Sequence, residues 1–520
     1  MSQHVVIVGA GPGGLAAAML LAKSGVRTTV VEAQPYVGGR TSTLHDQGYC
    51  FDRGPTFFLY PRILQEIFAT CGYDLFEECP MARLDPQYRL VFGEGGQLDA
   101  TPNVDRMEAE VARFAPGDER GLRPFLAENR KKLDHFQPIL ESPFYKMADL
   151  LRPEVMRSAH LLRPWRSLYH EVGRFFKDPR LRLAFTFQGK YLGMSPFQCP
   201  SLFSILAYLE YEYGVFHPMG GCGAVSERMA QIVRDLGGEV LTDQPVESIQ
   251  FAGRRAVGVT TPSGPIACDA LVINADFAQA MHSLVPNGLR RRWTDAKLQQ
   301  KRYSCSTFML YLGLKGEQPE LPHHTIYLSK SYRENLLNIE SRHRLDPDPS
   351  FYVQNASVTD QSLAPPGDST LYMLVPTSQM HANIDWTQER DRFRALAIRQ
   401  LSKIGLNNVA GRIRVEHVVT PADWQNGCRI FRGATFNLAH NLGQMLYWRP
   451  HNRFEDLDGV YLVGGGTHPG SGLPTIYSSA RITTDSLLAD LGVVAPDKHR
   501  TAKTPRAPRR AKTEAVESLN

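Results

Sequence analysis

The stretch Val5–Glu32, VVIVGAGPGGLAAAMLLAKSGVRTTVVE, restricts this chain more than any other. A short apolar run, Val5 to Val8, leads directly into Gly9, Gly11 and Gly14 at the spacing G-x-G-x-x-G. Leu15, Ala18, Met19 and Ala22 then recur at intervals of three and four, Gly25 stops the run, and a β-rich segment from Arg27 to Val31 ends on Glu32. Strand, glycine turn, helix, strand and acid together form a dinucleotide-binding unit. One glycine allows the tight turn, one admits a pyrophosphate against the backbone, and one lets helix and strand pack closely. The diphosphate meets unpaired N–H groups at a helix N-terminus. Glu32 stands where a carboxylate hydrogen-bonds a free ribose diol, which favours NAD or FAD over NADP.

Gly38-Gly39-Arg40-Thr41 gives a backbone able to lie on a ligand and a guanidinium suited to phosphate. This G-G-R segment resembles the one that continues the FAD site in amine-oxidase-like flavoproteins, and the resemblance implies FAD rather than NAD. A second glycine-rich turn, Gly464-Gly465-Gly466-Thr467-His468-Pro469-Gly470-Ser471-Gly472, follows an apolar strand. It opens a helix bearing Ile476, Ala480, Thr483, Leu487, Leu488 and Leu491 on one face, with Pro474 near its start. The two ends of the chain are therefore predicted to build one site.

Between them, 85–215 is charged, aromatic and helical in texture, with eight Lys/Arg but three acids between Arg152 and Arg182. That composition suits either a solvated face or contact with an anionic membrane surface. Leu202 to Tyr213 is apolar enough to line a large hydrophobic pocket or to be plain core. From Gly220 the nucleotide-fold texture returns, with a helix through Leu236 and short strands to Asn274; 300–430 mixes β-rich stretches with one clear helix, Thr387–Ile404.

The fold class that emerges is α/β: a Rossmann-type FAD-binding domain with a mixed β-sheet substrate domain and a helical region. The expected divisions are 1–84, 216–300 and 431–495 for the nucleotide-binding parts, 85–215 for the helical region, 301–430 for the substrate sheet and 496–520 for a disordered basic tail. A charge equal to the chain's net +5 is carried by Lys498–Asn520, with seven Lys/Arg against two Glu, which argues against a nucleic-acid-binding face. Eight scattered cysteines form no C-x-x-C, which points to reduced thiols, a cytoplasmic setting and no metal site. No uninterrupted apolar run of about twenty residues is present to span a bilayer.

With these residues assembled, the chain resembles the bacterial-type phytoene desaturases, FAD-dependent carotenoid dehydrogenases. The carriers are VVIVGAGPGGL at 5–15, GGRT at 38–41, FDRGPT at 51–56, GGCGAV at 220–225 and LVGGGTHPGSGLPTIY at 462–477. KYLGMSPFQCPSLFSILAYLEYEYGVFHPMGG at 190–221 and GATFNLAHNLGQMLYWRPHNRFEDLDG at 433–459 are similar to the C30 branch, the diapophytoene desaturases. The resemblance covers nearly the whole chain and implies a peripheral membrane enzyme that removes hydrogen pairs from a linear polyene.

It further implies that Gly9, Gly11 and Gly14 hold the pyrophosphate, Glu32 the ribose, and Gly39 and Arg40 the phosphate side. Val246 would lie at the adenine, Pro55 and Thr56 near the flavin, and Gly465, Gly466, Thr475 and Ile476 around the isoalloxazine and ribitol. Where many flavoproteins place an aspartate after the late glycine, this chain has Gly466-Thr467, so ribitol binding is expected to use backbone groups. The electron acceptor would be oxygen or a quinone. Glu210, Glu212 and His468 are candidate proton acceptors, and no catalytic residue is assigned.

Overall fold

The computed structural model describes residues 3–496; the expected tail beyond Ala495 lies almost wholly outside them. The strand His4–Val8 is the centre of the nucleotide-binding half. It pairs in parallel with Arg27–Val31 on one side and Ala270–Ile273 on the other, and the sheet is completed by Glu239–Leu241 and Val460–Leu462 at its edges. Every strand of this sheet except the Glu239 edge is buried on both faces, hence the continuous Val/Ile/Leu runs.

Alternation divides its side chains between two cores. Val5 and Ile7 join the helices Pro12–Lys23, Cys222–Asp235 and Leu473–Leu491 on one face. Val6 and Val8 join an antiparallel meander (Ser248–Ala252, Arg255–Thr261, Gly264–Ala267) on the other. The first and last helices of the described chain thus share one core, which brings the two glycine turns together.

The second half is built on a seven-stranded sheet in the order Ile413–Val419, Ser306–Lys315, Asp368–Thr377, Phe351–Gln354, His324–Leu328, Tyr88–Phe92, Gln97–Ala100. Its last two strands fall inside the segment expected to be helical, and Tyr88–Phe92 pairs in parallel with His324–Leu328. Beyond them that segment is helical, with Leu122–Leu140 its longest element. Helix Ile205–Tyr213 contributes to both halves, with Tyr208 in the first core and Tyr211 in the core over the large sheet.

The basic run of 152–182 is folded largely onto acids. Glu171, with its side chain fully buried, receives Lys132 at 3.1 Å, Arg163 at 2.5 Å, Arg166 at 3.4 Å and Arg174 at 2.7 Å. Arg152 pairs with Asp149 and Arg180 with Asp178. Beside the exposed Arg157, Arg166, Arg174 and Lys177, this region also turns large apolar side chains outward: Met147, Leu151, Met156 and Trp165 are 61, 71, 58 and 67 % exposed.

Candidate functional site

Strand His4–Val8 delivers the chain to Gly9, whose φ of +99° demands glycine and whose N–H donates to Val31 O at 2.8 Å. Gly11 caps the helix that begins at Pro12, where a missing N–H costs nothing. Glu32, 7 % exposed at the end of the neighbouring strand, accepts from Ala10 N at 2.7 Å and Gln34 N at 2.9 Å. Burial raises its pKa, and these N–H groups oppose the shift. The carboxylate thus fixes both phosphate-side loops while facing the same cavity.

That cavity, of about 590 Å³, runs from the nucleotide loops into the second half of the molecule. Twelve of the thirteen residues singled out from the sequence line it: Gly9, Gly11, Glu32, Gly39, Arg40, Pro55, Thr56, Val246, Gly465, Gly466, Thr475 and Ile476. Gly14 does not line it. A Cβ there would fall well within 3.0 Å of Gly9 O and 2.7 Å from Asn274 Nδ2, so its glycine serves close packing. Gly13 lines the cavity in its stead.

Arg40 donates from Nη1 to Thr435 O at 2.6 Å and faces the half-buried Asp276, whose carboxyl burial pushes upward and the guanidinium draws down. Thr56 is hydrogen-bonded to the Tyr352 hydroxyl at 2.7 Å, which meets His324 Nδ1 at 2.7 Å. Behind the second glycine turn, the completely buried Arg449 donates to Leu438 O, Gln444 O, Gly465 O and Thr467 O, at 2.7 to 3.2 Å. Its guanidinium sets the path of the loop through carbonyl groups alone.

Several site residues carry no spacing signal. Asn274, at the end of the strand Ala270–Ile273, donates to Gly9 O at 3.0 Å and stands against the Cβ positions of Gly11, Gly13 and Gly14. It follows an apolar run like any loop asparagine, and only the parallel pairing with His4–Val8 reveals its place. Asp276, Asn437 and Ser471 enter the lining in the same way.

Away from the glycine turns the wall is mainly hydrocarbon and aromatic, with Gln137, Glu141, Lys190 and Asn335 among its polar members. Leu133, Phe136 and Leu140 come from one helix, Leu202, Leu206 and Leu209 from the 202–213 stretch, and Met309, Ile326, Tyr352 and Leu374 from the large sheet. Phe57 stacks on His324 with centroids 4.0 Å apart and packs on Tyr191 at 5.3 Å.

The three candidate proton acceptors separate cleanly. Glu212 lies at the surface, paired with Arg130 at 2.7 Å. His468 is buried, bonded to Ser142 O at 2.9 Å, and burial lowers its pKa to about 3, which disfavours gaining a proton. Glu210 is buried beside the aromatic wall, held by Tyr88, Gln188 and Tyr191.

The two glycine turns, the buried Glu32 carboxylate and the cavity they share fit a flavin dinucleotide better than a nicotinamide cofactor that must exchange. Comparison with known proteins agrees. Residues 12–488 match the model of the flavin containing amine oxidoreductases. A 4,4'-diapophytoene desaturase (4,4'-diapolycopene-forming) of Methylomonas sp is 41 % identical over 93 % of this chain and 94 % of its own. An all-trans-zeta-carotene desaturase of Myxococcus xanthus is also 41 % identical, over 94 % of each chain. The crystal structure of an oxidoreductase from Methanosarcina mazei shares the fold, with a TM-score of 0.59 at 16 % identity over 94 % of this chain and all of that one. The chain therefore belongs to the flavin containing amine oxidoreductases and, within them, to the FAD-dependent carotenoid desaturases.

Proposed function

We propose that this enzyme desaturates a linear C30 polyene precursor of the 4,4'-diapophytoene type, giving conjugated diaponeurosporene- or diapolycopene-type products. The observation that carries the reading is the single cavity whose polar end is a dinucleotide cradle and whose remaining wall is mainly apolar. A hydrocarbon offers no polar handle, so buried area and shape must hold it, at about 25 cal/mol per Å². In this reading Gly9, Gly11 and the helix start at Pro12 receive the pyrophosphate, Glu32 the ribose, Arg40 the phosphate side and Val246 the adenine. Pro55, Thr56, Gly465, Gly466, Thr475 and Ile476 surround the flavin, and Gly14 supports the cradle from behind. Bound FAD supplies a two-electron acceptor for an allylic C–H bond. The protein positions that bond, excludes water and receives the proton.

The substrate dissolves in lipid, and the exposed Met147, Leu151, Met156 and Trp165 support peripheral docking on the inner face of the cell membrane through apolar insertion. Among the described residues no helix is long and apolar enough to cross a membrane. Oxygen or a membrane quinone then reoxidises the enzyme. The Myxococcus relative supports a second reading with a C40 carotene as substrate. Expression in a colourless host supplying either precursor tests both: colour with the C30 precursor alone supports the proposal, colour with C40 alone replaces the substrate, and no colour with either despite bound FAD refutes desaturation.

A further inference from the structure

Glu210 has no solvent exposure and accepts three hydrogen bonds: from the Tyr88 hydroxyl and Gln188 Nε2 at Oε2, and from the Tyr191 hydroxyl at Oε1, each at 2.9 Å. All three of these partners are neutral, and Arg130 pairs instead with Glu212 at 2.7 Å. The titratable groups that face it are the phenols of Tyr88 from its strand, Tyr191 from the turn Phe187–Leu192, and Tyr211 from its own helix. A buried carboxylate without a cation is costly, because three neutral donors do not replace its hydration. Burial accordingly raises its pKa to about 7, where a carboxyl exchanges a proton readily near neutral pH.

Tyr191 connects this group to the cavity. It is part of the wall, and its ring packs on Phe57 at 5.3 Å and Phe187 at 5.8 Å. The carboxylate thus lies one hydroxyl away from a chamber whose wall is mainly aromatic and aliphatic, with Lys190, Gln137 and Glu141 also among its lining residues. Tyr352, another wall hydroxyl with a titratable partner, ends on His324, which burial beside His217 keeps neutral and makes a poor proton sink.

We propose that Tyr191 Oη takes the proton lost by the substrate while passing its own to Glu210, making the two the proton-accepting pair of the desaturation. The inference rests on the desaturase reading above. In each step one allylic C–H bond of the substrate gives up hydrogen with both electrons to the two-electron acceptor. The adjacent C–H bond then breaks, its electron pair becoming the new C=C bond and its proton moving to Tyr191 Oη. Glu210 goes from carboxylate to carboxylic acid, and returning that proton to solvent resets the pair. The faces of Phe57, Phe187 and Tyr191 stabilise the positive charge that develops on the polyene between the two bond cleavages.

The test uses FAD-loaded protein and two measurements. Without substrate, infrared difference spectra between pH 5.5 and 9 should show a buried carboxylic acid band titrating near neutrality that disappears in Glu210→Gln and persists in Asp52→Asn. Hydride loss reverses until the proton is taken, so with 4,4'-diapophytoene in vesicles net anaerobic flavin bleaching should slow about tenfold per pH unit below the midpoint in the wild type. Glu210→Gln should bleach at least a hundredfold more slowly with no pH limb, and Glu210→Asp should recover the limb. Tyr191→Phe, which removes one oxygen atom, should slow bleaching comparably with FAD still bound, and it carries the test if Glu210→Gln does not load FAD. Rates within threefold of wild type in Tyr191→Phe or Glu210→Gln, or no titrating band attributable to Glu210, would overturn the inference. A wild type that never bleaches with any polyene refutes the desaturase reading instead, and the infrared result still reports on Glu210.

Discussion

Gly14→Ala should abolish tight FAD binding although Gly14 does not line the cavity. The new Cβ would sit well inside 3.0 Å of Gly9 O, 2.7 Å from Asn274 Nδ2 and 3.0 Å from Asn274 Cγ. Gly9 O has no room to retreat: its residue is held at φ +99° and the oxygen itself accepts from Asn274 Nδ2 at 3.0 Å. Overpacking of this kind costs about 1–3 kcal/mol, and loss of the Asn274 hydrogen bond adds about 1 kcal/mol. If the cradle must distort to accept the methyl group, those roughly 2–4 kcal/mol appear in affinity, a Kd raised roughly 30- to 1000-fold. Flavin fluorescence titration of apoprotein measures this directly. Gly25→Ala is the control: φ there is +77°, but no atom lies within 4 Å of the added Cβ. It should cost stability through backbone strain and leave FAD affinity within threefold. Asn274→Ala combined with Gly14→Ala clears the side-chain contact but not the carbonyl, so it should not restore binding. A Gly14→Ala protein with wild-type FAD affinity would refute the packing argument.

Glu32→Gln keeps the shape of the side chain but replaces a carboxylate that accepts from Ala10 N and Gln34 N. It should weaken FAD about 10- to 100-fold in the same titration, the loss expected for hydrogen bonds to a charged acceptor. Trp165→Ser with Leu151→Ser should release the protein from vesicles in a flotation assay, since burying two such side chains contributes about 3–6 kcal/mol, without changing FAD content. Glu171 is held down to about 2, burial opposing and Lys132 foremost among the groups that lower it. Its contribution is therefore complete above the ordinary carboxylate value of 4.5 and is lost as pH falls toward 2. Glu171→Gln should cost about 3–5 kcal/mol at pH 7 in denaturant unfolding, and the gap to wild type should narrow steadily below pH 4.5.

The parts of this fold that were legible in the sequence are those encoded over short distances. The turn at Gly9 and the helix after it, the acid at Glu32, and the late turn before Leu473 each depend on spacings of two to four residues, and each stands where it was expected. The strand Tyr88–Phe92 forms a local hairpin with Gln97–Ala100, but its place in the large sheet depends on parallel pairing with His324–Leu328, more than two hundred residues away. His324–Leu328 was itself concealed: all five residues are buried, so the period-two alternation that marks a half-exposed strand is missing. The basic run of 152–182 showed its charge but not its destination. Glu171 lies within that run and receives three of its arginines, Lys132 reaches it from the helix Leu122–Leu140, Glu128 of that helix shares Arg163 and Arg174, and no composition count reveals which charges turn inward.

A deeper reason explains why the dinucleotide end of the cavity could be read and the substrate end could not. Phosphate and ribose are polar, so they must be met by groups at fixed positions along a strand–turn–helix, and fixed positions leave a spacing. A linear hydrocarbon imposes only shape, which Leu133, Leu206, Met309 and Leu374 supply from four separate elements without any pattern among themselves. The same reasoning applies to the proton. Glu210 looks like one more charged residue in LEYEYG, and Glu212 two positions later looks equivalent. One turns to solvent and Arg130, the other into a pocket of phenols, because the helix Ile205–Tyr213 rotates them about 200° apart. The chemistry of the site is thus decided by which face of one short helix meets Tyr88 and Tyr191, a fact that exists only after the large sheet has brought Tyr88 beneath it.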